Sequence, residues 1–285
     1  TFQALSYTMD VYRHDVIPER NFLKYALFVS FFPQLVAGPI ERSSNLIHQI
    51  SERHYLDARR IARGLCLMLW GFFLKLVIAD RAAIFVNTIY NDPGNYNHFG
   101  FVSMLATVLF AFQIYCDFAS YSDIARGAAE VMGFSLMKNF DTPYFSQSVA
   151  EFWRRWHISL STWFKDYLYI PLGGNRVRKA RWIFNILVVW MLTGLWHGAS
   201  WNFILWGLFF LVFLILEKTF LLPHLNKSRV LSHIYVLFFL LISWAIFAVT
   251  DFTQLGILLQ RMFGIGESSM ETMLLPLMKE MTDVT

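Results

Sequence analysis

The sequence predicts an all-α, polytopic transmembrane protein, and its composition and patterning carry that prediction. Hydrophobic residues make up 56% of the 285 residues, charged residues make up only 15%, and the mean hydropathy is +0.44. A soluble domain carries about 25% charged residues, so this chain has too little polar surface for one. The aromatic content of 18% excludes intrinsic disorder and disfavours a nucleic-acid partner, although the net charge is +4.

Five apolar runs are candidate membrane segments: 22–40, 64–79, 99–118, 182–216 and 234–250. The first contains Lys24 and Pro33, so we expect it to be kinked or only partly inserted. The fourth has 35 residues without a charged side chain. A straight helix of that length would measure about 52 Å, whereas the hydrocarbon core is about 30 Å thick. We therefore expect a break near 193–198, where two glycines flank a histidine.

Basic side chains predict the sidedness of the chain. They concentrate in three connections: after the first run (Arg42, Arg53, Arg59, Arg60, Arg63), before Trp182 (Arg154, Arg155, Lys165, Arg176, Arg178, Lys179, Arg181) and after Leu216 (Lys218, Lys227, Arg229). The connection 80–98 holds only Arg81. The positive-inside rule then places the three basic connections in the cytoplasm and 80–98 outside. This alternation requires 182–216 to cross twice or to re-enter.

The domain organisation is predicted to be simple. Residues 1–264 form one membrane domain, and 265–285 form a loop and a short amphipathic tail of that domain. The opening residues lack an initiator Met and the features of a signal peptide, so we expect an internal part of a longer protein, incomplete at both ends. Cys66 and Cys116 lie within apolar runs and provide neither a disulfide framework nor a metal cluster, so we expect no metal site.

The stretch 141–176 contains clear helix signals. Ser148, with Glu151 three residues later, forms a capping box, and Pro171 with the glycines after it ends the helix. The predicted helix 149–170 is rich in aromatic and basic residues, so we expect an interfacial amphipathic or re-entrant helix that does not cross the membrane. His157 falls on its apolar side, where it is either a hydrogen-bonded core residue or a member of a site.

His197 is the strongest candidate for chemistry. An ionisable side chain within a long uncharged stretch is costly in a membrane and by default marks a function. Apolar surroundings favour the neutral imidazole, which is the form that a general base needs. The structural alternative is a neutral histidine that bonds a carbonyl at the break in the helix. The residues alone leave both interpretations open.

Three stretches together resemble the membrane-bound O-acyltransferase (MBOAT) family: FVSFFPQLVAGPIERSSNLIHQI, EFWRRWHISLSTWFKDYLYIPLGGNR and LTGLWHGASWNFILWG. Within the family they look most like the membrane subunits of bacterial polysaccharide O-acetylation, typified by alginate O-acetyltransferase. The resemblance runs from Thr1 to about Gly264 in the family's order. It implies an all-α membrane domain with broken or re-entrant helices, and family members normally extend beyond this chain at both ends.

The resemblance also implies a site and its substrates. The family's essential histidine maps to His197 in LWHG, and its second polar position maps to His157 in RRWH. In related transferases these line a tunnel that acetyl-CoA or another acyl thioester enters from the cytoplasm, as substrate and not as a bound cofactor. The expected location is the bacterial cytoplasmic (inner) membrane, with multiple passes through the lipid bilayer. The expected partners are a periplasmic SGNH-like acetyltransferase and a polysaccharide acceptor.

Acetyl transfer from a thioester to a hydroxyl needs a base and a donor to the developing oxyanion. His197 is the candidate base, and His157, the Trp196 indole and Asn202 are candidate oxyanion donors or tunnel-lining groups. Asp117, in a second polar cluster, either lines the tunnel or holds helices together.

The donor's phosphates need cations on the cytoplasmic side. Arg154 and Arg155 are the best candidates because they lie three and two residues before His157 in the sequence. The alternative is that they serve topology and lipid headgroups.

The function that these features favour is O-acetylation of an exopolysaccharide such as alginate. Teichoic-acid D-alanylation and peptidoglycan O-acetylation are alternatives within the same chemistry. A transporter or flippase for a lipid-linked sugar is an alternative from another class, but such transporters usually show paired interrupted segments and this sequence shows one. A non-catalytic scaffold for a polymer synthase would not need His197.

Overall fold

The computed structural model describes residues 2–35, 38–94 and 100–265, and in these ranges the chain is helical without strands. The helices are α1 Phe2–Tyr12, α2 Phe22–Ser30, α3 Ser43–Ser51, α4 Ala58–Phe73, α5 Asp80–Tyr90, α6 Gly100–Met132, α7 Val149–Arg155, α8 Ile158–Phe164, α9 Lys179–His197, α10 Trp201–Leu216, α11 Leu222–Leu225, α12 Arg229–Ala248 and α13 Phe252–Met262. The all-α prediction is confirmed. Nearly all of the predicted tail, 266–285, lies outside the described residues.

Three helix ends continue in wider π-helical turns. Leu74–Ala79 joins α4 to α5, Lys165–Tyr169 follows α8, and Glu217–Leu221 joins α10 to α11. Such turns are rare and occur often at functional sites. The last two flank the cavity described below.

Four helices of the described chain are long and apolar enough to cross a membrane: Ala58–Tyr90, Gly100–Met132, Trp201–Leu225 and Arg229–Ala248. The predicted run 64–79 lies inside the first, and residues 100–118 of the predicted run 99–118 lie inside the second. The run 22–40 is not among them, because α2 ends at Ser30 and Pro33 begins a short 3₁₀ turn. A nine-residue helix measures about 13 Å, which is too short to span the hydrocarbon core.

The uncharged run 182–216 breaks where the length argument predicted. It forms α9 and α10, an antiparallel pair that packs backbone to backbone through two glycines. A Cβ added at Gly194 would lie 2.5 Å from the Phe203 carbonyl oxygen, and one added at Gly207 would lie 2.5 Å from that of Trp190. Only glycine permits this approach, so the close packing of α9 and α10 requires the glycine in each helix.

A second antiparallel pair is formed by α4–α5 and α6. Gly64 and Gly127 face each other at one end of this pair. Near its middle, Lys75 Nζ lies 2.6 Å from Asp117 Oδ1 and 2.9 Å from Asp80 Oδ1. Asp117 is therefore an ion-pair partner between helices, which is the structural alternative raised for it.

The largest apolar core joins these pairs to α7 and α12. Its fully buried aromatic members come from α7, α10 and α12, and they include Phe152, Trp206, Phe210, Phe239 and Trp244. Rings of this size bury a large apolar area and pack edge to face or offset. The core fixes α7 against the α9–α10 hairpin and so places the two candidate histidines in one region.

Candidate active site

The predicted continuous helix 149–170 is wrong, because the structure breaks it at His157. Helix α7 ends at Arg155 and α8 begins at Ile158; we call the residues 156–158 the His157 joint. His157 has φ 43° and ψ 55°, a left-handed conformation that is strained for a non-glycine residue. The joint contains neither glycine nor proline, so nothing in its local sequence signals the break.

The break is imposed by residues 139–141, which we call the brace. The Asp141 N–H donates to the Arg155 carbonyl at 2.9 Å, and the Ile158 N–H donates to the Asn139 carbonyl at 2.9 Å. The Ser159 N–H donates to Asn139 Oδ1 at 3.2 Å. Sequence reasoning missed the brace because these residues carry no pattern of their own. The feature that marks Asn139 is the burial of a polar side chain, which becomes visible only in the structure.

The start of α7 agrees with the sequence. Ser148 Oγ accepts from the Glu151 N–H at 3.0 Å, as the capping box predicts, while the Glu151 carboxylate accepts from the Gln147 N–H at 2.8 Å. A second anion also binds this helix end: Glu217, which is 2% exposed, accepts from the N–H groups of Val149 at 2.5 Å and of Ala150 at 3.1 Å. Sequence reasoning missed Glu217, although it is the first charged residue after the uncharged run.

The His157 imidazole is 5% exposed and packs among aromatic rings. Its centroid lies 4.6 Å from the Phe118 ring and 6.0 Å from the Trp196 ring. Burial lowers the pKa of His157, and a positive charge on His197 would lower it further, so the ring is neutral at pH 7. The side chain makes no capping hydrogen bond to α8 and contacts Trp196 instead.

His197 is the last residue of α9, and Gly198 begins the connection to α10; we call the residues 197–200 the His197 joint. The half-buried imidazole contacts the rings of Trp196 at 4.8 Å, Trp206 at 5.0 Å and Phe247 at 5.3 Å between centroids. Trp196 thus contacts both histidines. Neither imidazole donates or accepts a side-chain hydrogen bond within the described residues, and the same holds for the Trp196 indole nitrogen.

Asn202 is the second residue of α10 and is fully buried. Its Nδ2 donates to the carbonyls of Phe247 at 3.0 Å and Ile246 at 3.3 Å, near the end of α12. These are two of the terminal carbonyls that a helix leaves unsatisfied, so Asn202 caps α12 from another helix. The predicted role as an oxyanion donor would require this nitrogen to leave both carbonyls.

A cavity of about 480 Å³ lies between α7–α8 and the α9–α10 hairpin, and His157, Trp196 and His197 are not among the residues that line it. One wall is a face of α9: Trp182, Ile186, Val189, Trp190 and Thr193. Its ends, eleven residues apart, are separated by about 16 Å of helix. The inner end is close to both histidines in sequence, because Thr193 precedes His197 by one turn and Leu160 follows His157 by one turn.

Charged side chains line this cavity as well: Arg154, Lys165, Glu217 and Lys218. Lys218 Nζ lies 4.5 Å from the centroid of the Trp182 ring, which puts this cation at the end of the cavity away from Thr193. The cavity therefore has the Lys218 cation at one end, an apolar wall, and an inner end whose lining residues lie one helical turn from each histidine in the sequence. A thioester donor with phosphates and a narrow acyl arm has the same order of chemistry.

The structure separates the two arginines that the sequence grouped. Arg154 lines the cavity, is exposed and makes no ion pair with the described residues. Arg155 instead binds Glu151 at 2.8 Å and Thr142 Oγ1 at 3.2 Å, next to the brace. Only Arg154 is placed to meet a ligand in the cavity.

Asp117 contributes to none of these surfaces, since it does not line the cavity and its carboxylate binds Lys75. Across 2–35, 38–94 and 100–265, no three His, Cys, Asp or Glu side chains come together as a metal ion would require.

Comparisons with known proteins agree with the motifs. The family model described as MBOAT, membrane-bound O-acyltransferase family, matches residues 17–233. The probable alginate O-acetylase AlgI of Pseudomonas aeruginosa is 40% identical over 272 residues, which cover 93% of this chain and 51% of that protein. The peptidoglycan O-acetyltransferase of Helicobacter pylori is 34% identical, covering 95% of this chain and 56% of that protein.

A more distant relative carries a different acyl group in its name. The teichoic acid D-alanyltransferase of Bacillus subtilis is 30% identical over 222 residues, covering 73% of this chain and 55% of that protein. The chain spans about half the length of the curated relatives it matches. The residues that the family model matches, 17–233, include both histidine joints and the residues that line the cavity.

Proposed function

The chain belongs to the membrane-bound O-acyltransferase family, and on this premise we propose that the protein transfers acetyl groups from a cytoplasmic thioester to hydroxyls of an exopolysaccharide such as alginate. The observation that supports this best has two parts. Two imidazoles without side-chain hydrogen bonds in the described residues contact Trp196, and a cavity with cations in its lining ends one helical turn from each histidine in the sequence. Acetyl-CoA or another acyl thioester is the proposed donor.

His197 serves as the general base in this proposal. Its neutral nitrogen takes the proton of the acceptor hydroxyl while the hydroxyl oxygen attacks the thioester carbonyl. The carbonyl electron pair moves to oxygen, where the Trp196 indole N–H and a His157 N–H are the proposed hydrogen-bond donors. The attack itself forms the ester C–O bond; collapse of the intermediate re-forms the carbonyl and breaks the C–S bond, and the departing thiolate takes the proton from His197.

The cavity serves as the donor path. Arg154, Lys165 and Lys218 supply positive charge for phosphate oxygens at one end. The aromatic wall of α9 excludes water from the thioester, which strengthens every electrostatic contact at the inner end. Helix α7, anchored by Glu217, holds Arg154 at the cytoplasmic mouth.

The relatives' names support this chemistry and differ in acceptor. Alginate acetylation is favoured because the relative named for it has the higher identity, at 40% against 34% and 30%. Peptidoglycan O-acetylation and teichoic-acid D-alanylation use the same attack on a thioester and remain the alternatives. We place the protein in the bacterial inner membrane, with a periplasmic SGNH-like acetyltransferase as partner.

The test uses His197→Ala in the full-length protein in its own membrane. Removing a general base typically costs about 10²–10⁴-fold in rate. The amount of polymer-bound acetyl should therefore fall by at least about 10²-fold, while the protein's abundance in the membrane stays normal. The matched control is His224→Ala, since His224 is exposed and bonds only the Phe220 carbonyl. Retention of more than about a tenth of the acetylation would remove His197 from the base role.

The same membranes distinguish the acceptors. Ester-linked acetyl is measured on the exopolysaccharide and on peptidoglycan, and ester-linked D-alanine is measured on teichoic acid where the host makes it. Loss of acetyl from the exopolysaccharide alone supports the proposal. Loss confined to one of the other polymers replaces alginate with that polymer and leaves the acyl-transfer chemistry in place.

A further inference from the structure

The feature that the proposed mechanism does not explain is the strained backbone at His157. A histidine in the left-handed region persists only where the surroundings determine it, and such residues cluster at functional sites. An ordinary helix start would place Ser, Thr, Asp or Asn at this N-cap position, with its side chain accepting from the N–H groups of the first turn. His157 occupies the N-cap position of α8 and makes no such bond.

Asn139 supplies the missing cap from a different segment. Its main-chain carbonyl accepts from the Ile158 N–H at 2.9 Å, and its Oδ1 accepts from the Ser159 N–H at 3.2 Å. The residue is 1% exposed, so no water can replace it at these donors without opening the fold. Asn139 therefore caps α8 in place of His157, and the His157 imidazole contacts Phe118 and Trp196.

We propose that Asn139 is a positioning residue for His157: by capping α8 in place of the N-cap side chain, it fixes the joint in its left-handed turn and aims the imidazole at Trp196. This inference rests on the proposed role of His157. It goes beyond that role by naming Asn139 as the residue that caps α8. Because Asn139 provides the cap, the N-cap position itself can hold a histidine.

The two bonds of Asn139 respond differently to substitution. The bond from Ile158 N–H uses the main chain and survives any side chain, so the joint can still form. The bond from Ser159 N–H uses Oδ1 and is lost in Asn139→Leu, whose side chain has the same number and branching of heavy atoms. Asn139→Asp keeps an oxygen acceptor and replaces the amide nitrogen, which has no partner within the described residues, with the second oxygen of an ionisable carboxyl.

The experiment measures acetyl transfer by the full-length protein in membranes, with kcat and the donor KM determined separately. Asn139→Leu should lower kcat by about 10–10²-fold, the cost of a misplaced catalytic group, with the KM unchanged. Asn139→Asp should restore kcat to within about threefold, since the acceptor is retained. The control is Gln49→Ala in α3, which removes side-chain bonds to the Ser135 N–H at 2.7 Å and the Ser135 carbonyl at 3.0 Å, on the connection that also holds Asn139.

The double variant His157→Ala/Asn139→Leu separates positioning from mere stability. If Asn139 acts through His157, the double variant is no slower than His157→Ala alone, whereas independent effects multiply. Wild-type activity of Asn139→Leu, an inactive but abundant Asn139→Asp, or multiplying effects would each overturn the inference. Wild-type activity of His157→Ala would instead refute the proposed role of His157, and would show that any effect of Asn139 is structural.

Discussion

His157 lies in a helix break that contains no glycine and no proline, whereas His197 lies at the end of a helix whose packing depends on Gly194 and Gly207. The His157 joint is held from outside, by hydrogen bonds from the brace. The His197 joint is held by its own hairpin, where two glycines let α9 and α10 touch. Both joints deliver an imidazole to the same tryptophan, Trp196.

The two constructions share one device. At each joint, a buried asparagine satisfies the end of a helix to which it does not belong: Asn139 caps the start of α8, and Asn202 caps the end of α12. Helix ends leave backbone groups without partners, and buried ones need a polar side chain to replace water. Helix ends near the two candidate catalytic histidines therefore need buried hydrogen-bond partners, and the two asparagines provide them.

The largest effect should come from filling the glycine contact of the His197 joint. Alanine at Gly194 would gain about 1 kcal/mol of helix propensity. Its Cβ would lie 2.5 Å from a backbone oxygen that cannot rotate away, and overpacking of this kind costs about 1–3 kcal/mol or more. We expect Gly194→Ala to lower the melting temperature and the abundance of the protein in the membrane.

The control for this substitution has the opposite sign. A Cβ at Gly256, in α13, meets nothing within 4 Å. Gly256→Ala should therefore raise stability by about 0.5–1 kcal/mol through helix propensity alone. Thermal unfolding in detergent checks both variants, and a Gly194→Ala protein as stable as wild type would mean that the hairpin is not fixed by this contact.

The same contrast explains which features the sequence could predict. The break in 182–216 was predictable because its causes, excess length and glycines, are local. The N-terminus of α7 was predictable because the capping box is local, and Ser148 makes the expected bond. The His157 joint was not predictable, since its cause lies in the brace, sixteen or more residues earlier. Glu217 was missed for the same reason, because it acts on a helix 67 residues away.

The next effect concerns Asn202, whose two possible roles give different measurements. As the cap of α12, its removal leaves buried carbonyls unpaired, which costs about 1–3 kcal/mol. Asn202→Leu should then lower the melting temperature, and activity should fall only in proportion to the folded fraction. As an oxyanion donor, its loss would lower kcat by about 10²–10³-fold at unchanged stability. Asn87→Ala, on the exposed side of α5, is the control.

The capping role predicts a further consequence at the His197 joint. Asn202 Nδ2 binds the Phe247 carbonyl, and the Phe247 ring lies 5.3 Å from the His197 ring between centroids. The amide therefore supports one wall of the space around His197, as Asn139 supports the joint of His157. A fall in kcat without a loss of stability would assign the Asn202 amide to the oxyanion and not to the cap of α12.

The smallest effect separates two neighbouring arginines on α7. Successive helix residues point about 100° apart, so Arg154 reaches the cavity while Arg155 turns to Glu151 and Thr142 beside the brace. An exposed charge contact is worth up to about 1 kcal/mol, so Arg154→Gln should raise the donor KM by at most about fivefold with kcat unchanged. Arg155→Gln should leave the KM unchanged and lower kcat slightly, because it loosens the His157 joint. Steady-state kinetics with varied donor concentration distinguish the two, and equal increases in KM would place both guanidinium groups at the donor.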